Sequence, residues 1–69
     1  MPLVYADIGE EQIIKKVVGS QEMKQHLADM GFVPGGGVTV VSTIGGNVIV
    51  KVKEFRVAIS REMAQRIMV

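Results

Sequence analysis

Apolar residues recur along this chain with two different periods, and the change of period divides it. Between Ser20 and Gly31, residues Met23, Leu27 and Met30 fall at the i, i+4, i+7 spacing of one helical face, while Lys24, Gln25, Ala28 and Asp29 lie elsewhere around the cylinder. This spacing predicts a helix from Gln21 to Met30, capped at its start by Ser20 and closed by Gly31, which has no Cβ to oppose a left-handed turn. Pro34 then holds Val33 extended, and Gly35-Gly36-Gly37 releases the chain into a strand. From there the period is two. Val48, Val50 and Val52 alternate with Ile49, Lys51 and Lys53, and then Phe55, Val57 and Ile59 alternate with Arg56 and Ala58, which assigns Phe55 to the core face. A β-branched run from Val38 to Thr43 precedes them, with a hairpin at Gly45-Gly46-Asn47. Upstream, a tight turn at Asp7 to Glu11 leads into a strand over 12–18, interrupted by Lys15-Lys16. Ser60 is placed to cap a short helix from Arg61 to Gln65, and Ile67-Met68-Val69 reads as a last strand.

Several short strands with one apolar face do not make a stable open sheet at this length, so the expected architecture is mainly β. It is a small barrel of about five strands, closed on itself, with one α-helix packed over an end and a short C-terminal helix. The 69 residues predict a single domain over 1–69, with 48% hydrophobic residues for a core and 22% charged residues for solubility. A net charge of +1 supplies no strong field to recruit polyanions, and the absence of cysteine excludes disulfides and thiolate metal sites. The N-terminal stretch Met1 to Asp7 has no basic n-region or long apolar h-region, and no apolar run approaches the roughly 20 residues of a membrane span. A cytoplasmic location without direct membrane insertion is expected.

The segment Leu27-Ala28-Asp29-Met30-Gly31-Phe32-Val33-Pro34-Gly35, the strands from Val48 to Ile59 and the short helix Arg61-Glu62-Met63-Ala64 together resemble the ferrous iron transport protein A (FeoA) family. The resemblance covers nearly the whole chain. It implies an SH3-like barrel, no enzyme activity, and a cytoplasmic partner: the cytosolic part of a ferrous iron permease that carries a GTPase domain. A similar barrel ends metalloregulators of the diphtheria-toxin-repressor type, but this chain has no room for their DNA-reading helical domain. Two positions depart from the family pattern. The connection Ser42 to Asn47 is short and lacks a proline, and Glu54 stands where relatives often carry glycine. A glutamate held at positive φ stores about 1 kcal/mol, so Glu54→Gly is expected to be neutral or stabilising on that premise.

Candidate chemistry is sparse. On a helix, Glu22, His26 and Asp29 fall within roughly 60° of one another, a carboxylate–imidazole–carboxylate strip that is the chain's candidate for ferrous iron or another divalent metal. One helix alone supplies it and nothing encloses it, so a solvated polar face is the stronger reading. The glycine triplet follows a helix and precedes a strand, the reverse of a phosphate loop. No serine or threonine has an adjacent base, and the paired acids Glu10-Glu11 sit beside a turn.

Nucleic-acid binding is the alternative function class, carried by Lys15, Lys16, Lys51, Lys53 and Arg56. Only Tyr5, Phe32 and Phe55 are available for base stacking, with Phe55 assigned to the core, so no nucleic-acid partner is expected. The same scarcity of rings speaks against a proline-peptide groove. Protein recognition through apolar surface remains, with Val33, Pro34, Ile44 and Ile49 as the contact candidates.

Overall fold

The computed structural model describes all residues, 1–69. Its first elements are a 3-10 helix at Leu3–Tyr5, strand β1 (Glu11–Ile13), strand β2 (Lys16–Val17) and helix α1 (Gln21–Asp29). Strands β3 (Gly37–Ile44), β4 (Asn47–Val52) and β5 (Phe55–Ser60) follow, then helix α2 (Arg61–Gln65) and strand β6 (Ile67–Met68). The four-stranded antiparallel sheet runs β1-β3-β4-β5, and β2 pairs with β6 in a second, two-stranded sheet.

Both helices start as their sequences dictate. The Ser20 hydroxyl accepts from the Met23 amide at 3.1 Å, and the Ser60 hydroxyl accepts from the Met63 amide at the same distance, each satisfying an amide the first turn leaves free. Helix α1 closes with paired bonds, Phe32 N–H to the Leu27 carbonyl (3.0 Å) and Gly31 N–H to the Ala28 carbonyl (2.9 Å), with Gly31 at φ +102°. That closure places Phe32 over Leu27, and both are buried. A β-turn comes next: Gly36 N–H donates to the Val33 carbonyl (3.0 Å), Pro34 sits second, and Gly35, at φ +89°, supplies the third-position conformation of a type II turn.

The segment expected as one strand over 12–18 is two. Its first half pairs with β3, and its second half pairs with β6. Ile14, buried at the break, exchanges backbone bonds with Gly35 and Gly36, and Lys15 N–H donates to the Met68 carbonyl at 2.7 Å. This segment therefore belongs to both sheets and folds them into one small SH3-like barrel. The hydrogen-bonded ladder is not closed, however. β5 ends its sheet with no pairing to β6, and α2 spans that seam with Ala64 buried between Ile59 and Ile67 along the chain. Closure there comes from side-chain packing.

The core combines the inward residues of β3 and β4 (Val38, Val40, Val48, Val50, Val52) with Leu27 and Phe32 from the helix end. Met23 and Met30 pack against it half-buried, as their helical phase requires. The N-terminus adds a residue that periodicity does not announce. Leu3 is fully buried, and its strand-like flank is strapped down where the Met1 amino group donates to the Val69 carbonyl at 2.6 Å and Val69 N–H donates back to Met1 at 2.7 Å.

Two expectations are corrected here. Phe55 has the inward parity of Val52, its register partner, yet it is 68% exposed, because it begins the edge strand beyond the end of the core. Positive φ falls on Lys53 (+55°), not on Glu54. The turn joining β4 to β5 contains only Lys53 and Glu54, and a two-residue hairpin with a single left-handed residue at its first position has the φ pattern of a type II′ turn.

Candidate functional site

The four contact candidates do not form one patch. Val33 (37% exposed) and Pro34 present the type II turn beside the start of β3, whereas Ile44 (67% exposed) tips the β3–β4 hairpin at the strand's other end. Seven strand steps of about 3.3 Å separate those ends, most of the width of the molecule. Ile49 lies between them, half-buried on the outer face of the sheet, with Ser42 and Ala58 as its cross-strand neighbours. A bulge between Val40 and Ser42 sets that register.

Ile13 joins the apolar turn and was not anticipated. It ends β1 opposite Gly37, 57% exposed, next to the backbone that Ile14 shares with Gly35 and Gly36. Reading 12–18 as one strand hid it, since the break at Ile14 resets which side chains face outward.

Behind this apolar rim a cleft of about 190 Å³ opens on the outer sheet face, walled by Glu11, Thr39, Lys51 and Lys53 over a floor of Gly31, Gly36 and Gly37. The floor is tight. A Cβ on Gly37 would stand 2.6 Å from a Glu11 carboxylate oxygen, so glycine there lets the Glu11 side chain lie flat. Along the row Glu11, Thr39, Lys51 and Arg56, residues oppose one another across four strands, which places Lys51 and Arg56 directly side by side.

The expected cation set divides accordingly. Lys16 belongs to the two-stranded sheet with Lys15 just before it, while Lys51, Lys53 and Arg56 gather at the β4–β5 hairpin. The exposed Phe55 stands next to Arg56, so the ring assigned to the core lies instead at the cationic end of the sheet.

On helix α1, Glu22 and His26 line a shallow cleft with Ser20 and Met23. Asp29 lies outside that lining and accepts a hydrogen bond from the Gln25 amide at 2.9 Å. The structure contains no group of three or more histidine, cysteine, aspartate or glutamate side chains disposed to hold a metal ion.

Fold and surface together define a small SH3-like barrel whose distinctive features are an apolar turn, an exposed hairpin tip and a polar cleft. The FeoA domain model matches residues 1–69, and the chain belongs to that family. It is 38% identical over 68 residues to a protein of Methanocaldococcus jannaschii that carries the provisional name Fe(2+) transport protein A, a match covering 99% of this chain and 83% of the relative. Its backbone is similar to the crystal structure of an iron uptake regulatory protein, FeoA, with a TM-score of 0.91 and 30% identity, covering all of this chain and 93% of the other. It also matches the fold of Stenotrophomonas maltophilia FeoA complexed with zinc, described as a procaryotic SH3 domain protein, with a TM-score of 0.86 and 24% identity over 100% and 88% of the two chains. No helix of this chain is long and apolar enough to cross a membrane.

Proposed function

We propose that the chain is a nonenzymatic, cytoplasmic accessory module of ferrous iron uptake that docks on the cytosolic, GTPase-bearing domain of a ferrous iron permease and tunes its assembly or activity. The observation that carries this reading is the FeoA match over every residue of the chain, supported by the iron-transport name of the archaeal relative. The geometry fits protein recognition. Of its exposed large apolar residues, Ile13, Val33, Ile44 and Phe55 stand on turns and strand ends, positions from which a partner can be contacted.

The test is a pull-down of the permease's cytosolic domain, with and without guanine nucleotide, by wild type and by Val33→Asp and Ile44→Asp made separately. Capture by wild type and loss in one variant supports docking and assigns the end of β3 that makes it. Failure of wild type under every nucleotide condition refutes direct docking, and undiminished capture by both folded variants refutes this contact surface.

Ferrous iron is cargo of the transport system in this reading. Glu22 and His26, which share a cleft, are the pair through which the chain itself would touch a divalent ion. Calorimetric titration of ferrous iron or zinc into wild type and His26→Ala decides the matter, because identical isotherms remove the helix α1 site.

A further inference from the structure

We propose that the outer face of the β4–β5 hairpin is a docking site for an acidic, extended segment of a protein partner, with Lys51, Lys53 and Arg56 receiving its carboxylates. This deepens the accessory-module reading and rests on it. Lys51 and Arg56 are register partners on adjacent antiparallel strands, and both are exposed on the side opposite the buried Val50 and Val52. Around a two-residue turn the flanking Val52–Phe55 pair is the hydrogen-bonded one, so the next pair is the close, non-hydrogen-bonded kind, with Cα atoms about 4.5 Å apart. Like charges directly opposite in that position oppose folding. Neither Lys51 nor Arg56 is in a salt bridge: the molecule's ion pair joins Arg66 to Glu62, away from this hairpin. The acid in the same row, Glu11, lies against Gly37, and Glu54 makes no ion pair from the turn.

The third cation is held in place at a cost of its own. Lys53 is the one non-glycine residue with positive φ, and its side chain reaches back toward Gly31 along the cleft wall. Strain of this kind is characteristic of binding sites. Lys51 and Lys53, the latter on strained backbone, wall the polar cleft, and Arg56 stands beside Lys51 on the same outer face.

The occupant follows from charge and from the sheet. β5 is the end strand of the four-stranded sheet, so Arg56 stands at the sheet margin, where an extended chain can lie across the exposed cations of the outer face. A second copy would bring three more cations to the same face, which disfavours it. An acidic strand supplies the missing carboxylates. The cleft floor continues through Gly36 into the Val33–Pro34 turn, so one partner can cover both the apolar turn and the cationic face.

The test uses a fluorescein-labelled ten-residue peptide of alternating glutamate and valine, with an alternating lysine–valine peptide and labelled ten-residue oligothymidine as comparisons. Saturable binding of the acidic peptide is expected, weakened about tenfold between 0.05 and 0.3 M salt and about tenfold by Lys51→Gln combined with Arg56→Gln. The doubly substituted protein should melt no lower than wild type, because its like-charge contact is gone. Absence of binding to the acidic peptide, or equal binding by the folded double variant, overturns the proposal, and tighter binding of oligothymidine overturns it in favour of single-stranded nucleic acid. The same double variant in the permease pull-down separates the two levels. Permease capture that survives the substitutions removes this face and leaves the accessory reading, whereas acidic-peptide binding by a wild type that captures no permease removes the accessory reading and leaves the face.

Discussion

The two ends of strand β4 turn by similar two-residue hairpins built from different residues. At one end Gly45-Gly46 makes the turn with Gly45 at φ +59°, where a Cβ would meet nothing within 4 Å. At the other, Lys53-Glu54 makes it with a lysine at φ +55°. The first is relaxed and stands in solvent. The second carries a side chain where glycine would be easier, and it is braced from behind by the end of α1, where Gly31 sits so close to Val52 that a Cβ would be 3.4 Å from the valine methyl. Left-handed backbone costs about 1–2 kcal/mol in a residue other than glycine, so the difference marks the Lys53 turn as the end where a side chain is wanted.

Removing the brace has the largest expected effect. Leu27→Ala empties the core beneath the end of α1 and should destabilise the fold by about 2–5 kcal/mol, read as a lower denaturation midpoint. An unchanged midpoint would mean that Leu27 is not the helix's anchor. Making the two turns alike from the relaxed side comes next: Gly45→Lys should lower stability by about 1–2 kcal/mol, since nothing packs behind that turn to hold a strained lysine. A neutral result would show that both hairpins accept the left-handed lysine equally.

The smallest pair of effects is the most diagnostic. Lys53→Gly should stabilise by about 0.5 kcal/mol, because relief of the strain is partly offset by the greater freedom of glycine in the unfolded chain. Glu54→Gly should instead destabilise by about 0.5 kcal/mol, as glycine does where no positive φ asks for it. Reversal of those two signs in thermal melts would move the strain from residue 53 to residue 54.

Much of this fold is legible in the sequence because local chemistry and global packing agree there. Ser20, Leu27, Gly31, Pro34 and Ser60 each perform the local role their residue type favours, and the β3–β4–β5 meander follows from strict alternation. The misreadings have a common origin in strand ends and edges. Parity gives Phe55 its correct side of the sheet but not its depth, which depends on where the core stops. The strand over 12–18 keeps extended backbone throughout, so nothing in its composition shows that its partner changes from β3 to β6 at Ile14. Leu3 is buried by contacts between the two ends of the chain, and no window of neighbouring residues contains that information.

Site residues were less legible for a related reason. Val33, Pro34 and Ile44 are exposed as expected, but only the path of β3 reveals that they stand at opposite ends of the molecule. The cationic row is likewise a product of register: Lys51 and Arg56 are five positions apart and become neighbours only through the hairpin.

The unsewn seam between β5 and β6 has a dynamic consequence. Most strands are held to their neighbours by backbone bonds, but along that line the barrel depends on five residues of α2 and the few apolar side chains beneath them. Amide protons of α2 and of the outer edge of β5 should therefore exchange with deuterated solvent ahead of those in β3 and β4, making this flank the place where the molecule first comes open.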